Sequence, residues 1–425
     1  MYRHIPMLAL ALLAPALALA VAQATPPVAA PFSAPSTDAA PVLTLTAALD
    51  LAAAHNKALS AARLEIEAVE GSLMQAGARP NPEFSALMED TRKASRTTTY
   101  QINQPIELGG KRSARIEAAQ RQLDMARLEY ASLRQQMRSR VTSAYHDALL
   151  AGERQRLAAE LVQLAQTAAD MTARRVQAGK VSPVEQTKAQ LALSTAQLER
   201  QQAESDATLA RGQLASLWNA RQTDFVLADT ALDTLPPLPA IADLTARVGN
   251  GPAVQLARLE VERRAALARI ESSKRVPDLT LSLGNKRDEE AARNMWVVGF
   301  SLPIPVLDSN RGNELEAIKR TDKARDELAL VELQMQNDAA QSYERLRNAR
   351  AEALALRQDI VPGAQSAYLA ARTGFTLGKF GFLDVLDAQR TYFQARAQYW
   401  KALSTAFQAA AELDRLAGDA TLNLQ

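Results

Sequence analysis

The 425-residue chain contains no cysteine. Disulfides and thiolate metal sites are therefore excluded, as is the lipid-modified cysteine that anchors some secreted bacterial proteins. Aromatic residues make up only 5% of the chain and there are only 17 glycines. No charge surplus exists either: 49 basic residues face 47 acidic ones. A nucleic-acid partner is thus not expected, because phosphate binding needs a basic excess on one face. Beyond residue 24 no stretch offers the ~20 continuous apolar residues of a membrane-spanning helix. A mature chain that enters a membrane must then do so as a β-barrel.

The first 24 residues have the form of a secretory signal. Arg3 gives the positive end, Ile5 to Val21 is apolar, and Ala22-Gln23-Ala24 is a small-residue cleavage site. Residues 25–42 are a Pro/Ala-rich linker without periodicity. From Leu43 onward one unit occurs twice, as residues 43–220 and 241–417. Ala189, Ala196, Ala203, Ala210 and Leu217 recur as Ala388, Ala395, Ala402, Ala409 and Leu416. The same shift carries Gly179-Lys180 onto Gly378-Lys379, Glu185 onto Asp384 and Gln190 onto Gln389. Alanines in helices match easily by chance, so the Gly-Lys and acidic matches carry the repeat. Residues 418–425 form a tail.

Each unit is expected to run helix, strand, loop, strand, very long helix, turn, returning helix. The first helix covers about 45–78 and ends at Arg79-Pro80-Asn81-Pro82. The long helix runs from Lys111 to Ala178, roughly 100 Å at 1.5 Å per residue. Ile116, Leu123, Tyr130, Met137 and Ala144 keep a seven-residue step, which predicts a left-handed coiled coil. Its second copy, about 313–377, should kink at Pro362. Four strands are expected at about 83–90, 97–104, 278–285 and 295–302. Leu279, Leu281 and Leu283 alternate with Thr280, Ser282 and Gly284, and Trp296, Val298 and Phe300 with Val297, Gly299 and Ser301. Lys286 to Glu290 and Arg92 to Arg96 are charged hairpin tips. Strands of this length suit a tilted bilayer crossing. An ordinary soluble sheet alternates too, but here the signal, the small polar second face and the charged tips favour a barrel. Four strands cannot close alone, since closure takes about eight. Two copies would give eight strands and three would give twelve; the arithmetic does not choose.

Prolines 80, 82, 105, 277, 303 and 305 sit at the strand–helix junctions, where a missing N–H orphans no donor. QPIELGGKR (104–112) leaves the second strand, and FSLPIPVLDSNRGN (300–313) is its partner in the second unit. With the duplicated hairpin and coiled-coil unit, these segments resemble the TolC family of outer-membrane efflux ducts, in particular the heavy-metal branch typified by the cobalt–zinc–cadmium resistance subunit. The resemblance covers essentially all of 43–417. It implies a mainly α, internally duplicated fold with a membrane β part: a homotrimer with a 12-stranded barrel in outer-membrane lipid, continued by a periplasmic helical coiled-coil tunnel. Residues 221–240, with Phe225-Val226-Leu227 and Pro236-Pro237-Leu238-Pro239, would join an equatorial belt with the C-terminal tail. Copper-exporting relatives often carry a lipidated cysteine that this chain lacks.

The function implied is a passive exit duct of a tripartite RND-type system, working with a periplasmic adaptor and, indirectly, an inner-membrane transporter. Divalent metal cations are the expected cargo; drugs or secreted proteins are the alternatives, and a periplasmic adaptor is the competing identity. Gly179, Lys180, Gly378 and Lys379 would form adaptor-docking tips. Asp384 and Asp387, three apart on one helix face, resemble the family's ring of gate aspartates, with Glu185 as first-unit counterpart. The plain alternative is helix-start acids favoured by the macrodipole. Where enteric relatives place a latch arginine, this chain has Phe380 beside Lys379. His4 leaves with the signal, and His55 and His146 stand alone, expected at helix surfaces or in the tunnel lining. No nucleophile motif or phosphate loop is present, so neither a cofactor nor catalysis is expected.

Overall fold

A computed structural model describes residues 42–221, 223–228 and 235–418. The expected signal peptide, nearly all of the linker, part of the equatorial segment and the tail from 419 lie outside these residues.

Strand β1 (Val42–Leu43) leads into α1 (Leu45–His55) and α2 (Lys57–Ala76). The single helix expected over 45–78 is broken at Asn56, and the reason is a cap. Asn56 is extended (φ −69°, ψ 124°), and its Oδ1 accepts the Ala58 and Leu59 amides at 2.9 and 3.2 Å. Its Nδ2 donates to the Leu217 carbonyl at 2.7 Å, so a distant contact fixes the break.

Strands β2 (Glu83–Glu89) and β3 (Thr97–Ile106) precede α3 (Lys111–Gln177), a helix of 67 residues and roughly 100 Å. The return helix is α4 (Pro183–Ser216). After β4 (Val226–Leu227) the second unit gives α5 (Ile241–Val248), α6 (Pro252–Ser273), β5 (Leu279–Asp288) and β6 (Arg293–Ser301). Strand β5 runs further than its alternation predicts, so Lys286, Arg287 and Asp288 belong to the ladder and not to the hairpin tip.

The second long helix is α7 (Arg311–Ala355), a π turn (Leu356–Ile360) and α8 (Val361–Thr376). The π turn sits just upstream of Pro362. Proline has no amide for the carbonyl four residues back and its ring crowds that carbonyl, so the helix widens. Val361 accordingly donates to the Leu356 carbonyl five residues earlier. Helix α9 (Phe382–Ala417) returns along the bundle.

The alanine seam explains why these helices pack so closely. Ala189, Ala196, Ala395, Ala402 and Ala409 are all buried. Where the helices cross the middle of the chain, Tyr145 anchors a core cluster with Leu43, Leu214 and Leu403. Its hydroxyl donates to the Leu43 and Ala228 carbonyls at 3.0 and 3.2 Å. These bonds tie α3 to the parallel β1–β4 pair, which joins the chain's first described residues to the equatorial segment.

Four strands form one antiparallel sheet in the order β2-β3-β5-β6. Its register places Phe84, Ile102, Leu283 and Val298 in one row across all four strands. All four are exposed, and in β6 Trp296, Val298 and Phe300 are 77%, 79% and 76% exposed. The other face carries Leu87, Met295 and Val297 but also a polar network. Asn103 donates to Ser85 Oγ at 3.2 Å and accepts from Ser282 Oγ at 2.8 Å, and Lys286 pairs with Glu89 at 3.1 Å. An apolar face turned outward over a hydrogen-bonded polar network inverts the usual soluble sheet.

The junction segment 104–112 acts as a clamp. Glu107 pairs with Arg115, whose hydrogen bond holds the Glu107 carboxyl below its usual range. Arg112 donates to the Gly77 carbonyl at 2.7 Å, closing the end of α2. Lys111 reaches Asp278 at the start of β5, at 2.7 Å. The long helices begin alike, from left-handed residues Gly110 (φ 75°) and Asn310 (φ 58°).

Candidate functional site at the helical tips

Helices α3 and α8 end in the same hydrogen-bonded turn. At the first tip Gly179 has φ +66°, Lys180 N–H donates to the Arg175 carbonyl and Gly179 N–H to that of Val176, both at 2.9 Å. At the second Gly378 has φ +73°, Lys379 donates to Gly374 at 2.8 Å and Gly378 to Phe375 at 3.0 Å. This pair of hydrogen bonds across a left-handed residue is a Schellman cap, and glycine supplies the positive φ without a Cβ penalty. Around both glycines the space is open, so the turns present their backbone outward. Ser182 caps α4 through the Val184 amide at 3.3 Å, with Pro183 in its first turn.

Asp384 lies in the first turn of α9 and its Oδ2 accepts the Gly381 amide at 2.9 Å. One oxygen of this side chain is therefore committed to closing the helix start. Asp387, one turn on, is exposed and its carboxylate has no hydrogen-bond or ion-pair partner among the described residues. Glu185 is half-buried in the first turn of α4. Among the described residues no ion pair or hydrogen bond joins it to either aspartate.

Two contacts at the tips were not anticipated from the sequence. The Arg175 guanidinium lies 4.2 Å from the centre of the Phe375 ring and donates to the Phe375 carbonyl at 3.0 Å. The one advance sign was a cation in the last turn of α3. Phe380 lays its ring on Gly374, so close that a Cβ there would stand 2.2 Å from the ring. Tyr368 and Tyr392 stack behind them at 6.0 Å.

His146 corrects an expectation. It is neither on the helix surface nor in a lining, but 4% exposed in the α3–α9 interface. Its ring stacks on Phe407 at 3.8 Å and its Nδ1 bonds the Thr142 carbonyl at 2.7 Å. Burial pushes the imidazole below its ordinary value. His55 is exposed at the end of α1. Among the described residues no group of three or more His, Asp or Glu could hold a metal ion, and no helix is long and apolar enough to cross a membrane.

The duplication, the outward apolar sheet and the paired tips meet known proteins at this point. The sequence profile described as outer membrane efflux protein matches residues 48–220 and again 247–419. The chain belongs to the outer membrane efflux protein family. The cobalt-zinc-cadmium resistance protein CzcC of Cupriavidus metallidurans is 46% identical over 381 residues, covering 90% of this chain and 91% of that one. The nickel-cobalt-cadmium resistance protein NccC of Alcaligenes xylosoxydans xylosoxydans is 30% identical over 63% of this chain and 62% of its own length. Among solved structures, the outer-membrane channel CmeC of Campylobacter jejuni superposes with a TM-score of 0.73 at 16% identity, over 88% of this chain and 85% of that one. CusC superposes at 0.76, with 16% identity, over 88% and 92%. The fold is thus that of the TolC-like channels, and this efflux protein is an outer-membrane channel reaching into the periplasm.

Proposed function

We propose that this outer-membrane channel is a homotrimeric, passive exit duct for divalent heavy-metal cations. The observation that carries the assembly is the four-stranded sheet: among the described residues β2 and β6 each have a free edge, and the row of Phe84, Ile102, Leu283 and Val298 is apolar. Open edges are not tolerated in lipid, so the sheet needs further copies to close. Resemblance to TolC-type ducts favours three copies and a 12-stranded barrel over two copies.

The tips at Gly179-Lys180 and Gly378-Lys379 dock a periplasmic adaptor, which links the duct to an inner-membrane RND transporter. Asp384 and Asp387, with Glu185 as the first-unit counterpart of Asp384, form the acidic constriction. Three chains would place six aspartates in one narrow ring and concentrate cations there. The metal reading rests on resistance proteins such as CzcC and on the junction segment 104–112. Energy and metal choice then lie with the partners.

Growth of a deletion strain on zinc, cobalt, cadmium, copper and a drug panel tests this reading. Sensitivity to zinc, cobalt and cadmium, restored by the intact chain, is the expected result. Sensitivity to drugs alone would replace metal cations with organic cargo.

A further inference from the structure

We propose that the groove where α4 and α9 flank α3 is a binding site for a small organic anion, a carboxylate on an apolar body. The inference does not rest on the metal-export reading.

The groove holds a cavity of about 660 Å³, within the range of small-molecule sites. Its lining runs over Arg154–Ala165 of α3, Lys188–Glu199 of α4 and Leu386–Ala397 of α9. That is three helical turns, roughly 17 Å. The apolar part comes from Leu157, Leu161, Leu191, Leu386 and Phe393.

Within this wall Gln389 is 3% exposed, and its Nε2 has no hydrogen-bond partner among the described residues. Buried amide donors are as a rule paired, so an unmet one lining a cavity calls for an acceptor. Protein groups close by do not supply it. The charged side chains that line the cavity are Arg154, Lys188, Arg390 and Glu199, three cations to one acid. None of the three cations has an ion pair or hydrogen bond among the described residues. Asp384 and Asp387 do not line it.

The donors are also grouped. Helices α4 and α9 both start at the tips, and Lys188, Gln389 and Arg390 all lie within their first three turns. The tip end of the cavity therefore offers two cations and a buried amide with no carboxylate, while Phe393 of α9 and Leu191 of α4 lie further from the tip than these donors. A carboxylate at the donor end with an aromatic or aliphatic body along the leucines satisfies both. A cation would meet like charge at the donor end, and a neutral polar molecule would leave the two cations without a counter-charge.

The test uses the full chain in lipid nanodiscs, with equilibrium dialysis of 2-naphthoate and of 2-naphthylmethylammonium against empty nanodiscs. Saturable naphthoate binding, with the ammonium probe at the empty-disc level, is expected. Lys188→Glu with Arg390→Glu should weaken naphthoate at least tenfold, and Gln389→Leu several-fold with the cations intact. Lys188→Gln with Arg390→Gln is the milder pair should the first disturb the fold, which the thermal melt reports. Equal uptake of both probes would mean unspecific apolar partition and would overturn the site. So would unchanged affinity in the charge variants, or no saturable binding at all, the result expected if a helix of another copy or of a partner fills the groove.

Discussion

Arg175 caps a helix to which it does not belong: from the end of α3 it donates to the Phe375 carbonyl in the last turn of α8, at 3.0 Å, and covers the Phe375 ring at 4.2 Å. The cation meets the negative end of the α8 dipole and an aromatic face together. The two hairpins, related by the repeat, are joined at their tips by a contact the repeat does not contain, because the residue matching Arg175 is Gly374.

Arg175→Ala should therefore loosen the second tip locally, by about 1–2 kcal/mol from the lost helix-end and cation–π contributions. Hydrogen exchange of the amides at 374–379 measures this. Phe375→Leu should give part of the effect, since it removes the ring and keeps the carbonyl. Unchanged exchange in Arg175→Ala would deny the contact any holding role.

The two gate candidates separate cleanly. The Asp384 carboxylate holds the Gly381 amide, and the Asp387 carboxylate holds nothing among the described residues. Asp384→Ala should cost about 0.3–1 kcal/mol of stability as well as altering ion behaviour. Asp387→Ala should alter ion behaviour alone, reducing cation preference and multivalent-cation block in planar bilayers. The contrast should grow at low salt, because the Debye length is about 10 Å at 0.1 M. Unaltered selectivity and block for both variants at low salt would leave only the helix cap.

His146 predicts a pH dependence with a definite sign. Burial lowers its pKa in the folded chain, so below the unfolded value of about 6.5 the unfolded state binds the extra proton. Stability is then fully present above that value and falls as pH drops toward the folded pKa, by at most about 1.4 kcal/mol per pH unit. Melting curves from pH 7.5 to 5 should slope less for His146→Gln than for the natural chain. Equal slopes would place the titration elsewhere.

The sequence shows its global features because they repeat: the seven-residue steps set the long helices, Gly179 and Gly378 set the turns, and alternation around Leu281 and Val298 set the strands. What stayed hidden depends on partners far along the chain. Asn56 breaks a helix with the help of Leu217, and His146 is buried because Phe407 lies across from it. Pro362 announced a disturbance, but its form, a widened turn upstream, follows from the carbonyls that the ring displaces. Asp384 and Asp387 read as an equal pair in sequence, and only the Gly381 amide distinguishes them.

Opposite faces of β6 should respond differently to charge. Val298 belongs to the outward apolar row, whereas its neighbour Val297 faces the opposite side with Gly284 and Gln101. Val298→Arg should cost about 2–4 kcal/mol near the middle of a lipid-facing strand. Val297→Arg should cost far less. The yield of heat-sensitive oligomer extracted from outer membranes reads this; equal losses would mean that neither face meets lipid.

If the proposed duct closes its sheet with three copies, the assembled protein must be a trimer. Native mass spectrometry of the protein extracted from outer membranes in detergent measures that directly. One species of three chains, with no stable smaller assembly, is the expected result. A dimer or a monomer as the folded species would contradict the 12-stranded barrel and the gate built on it.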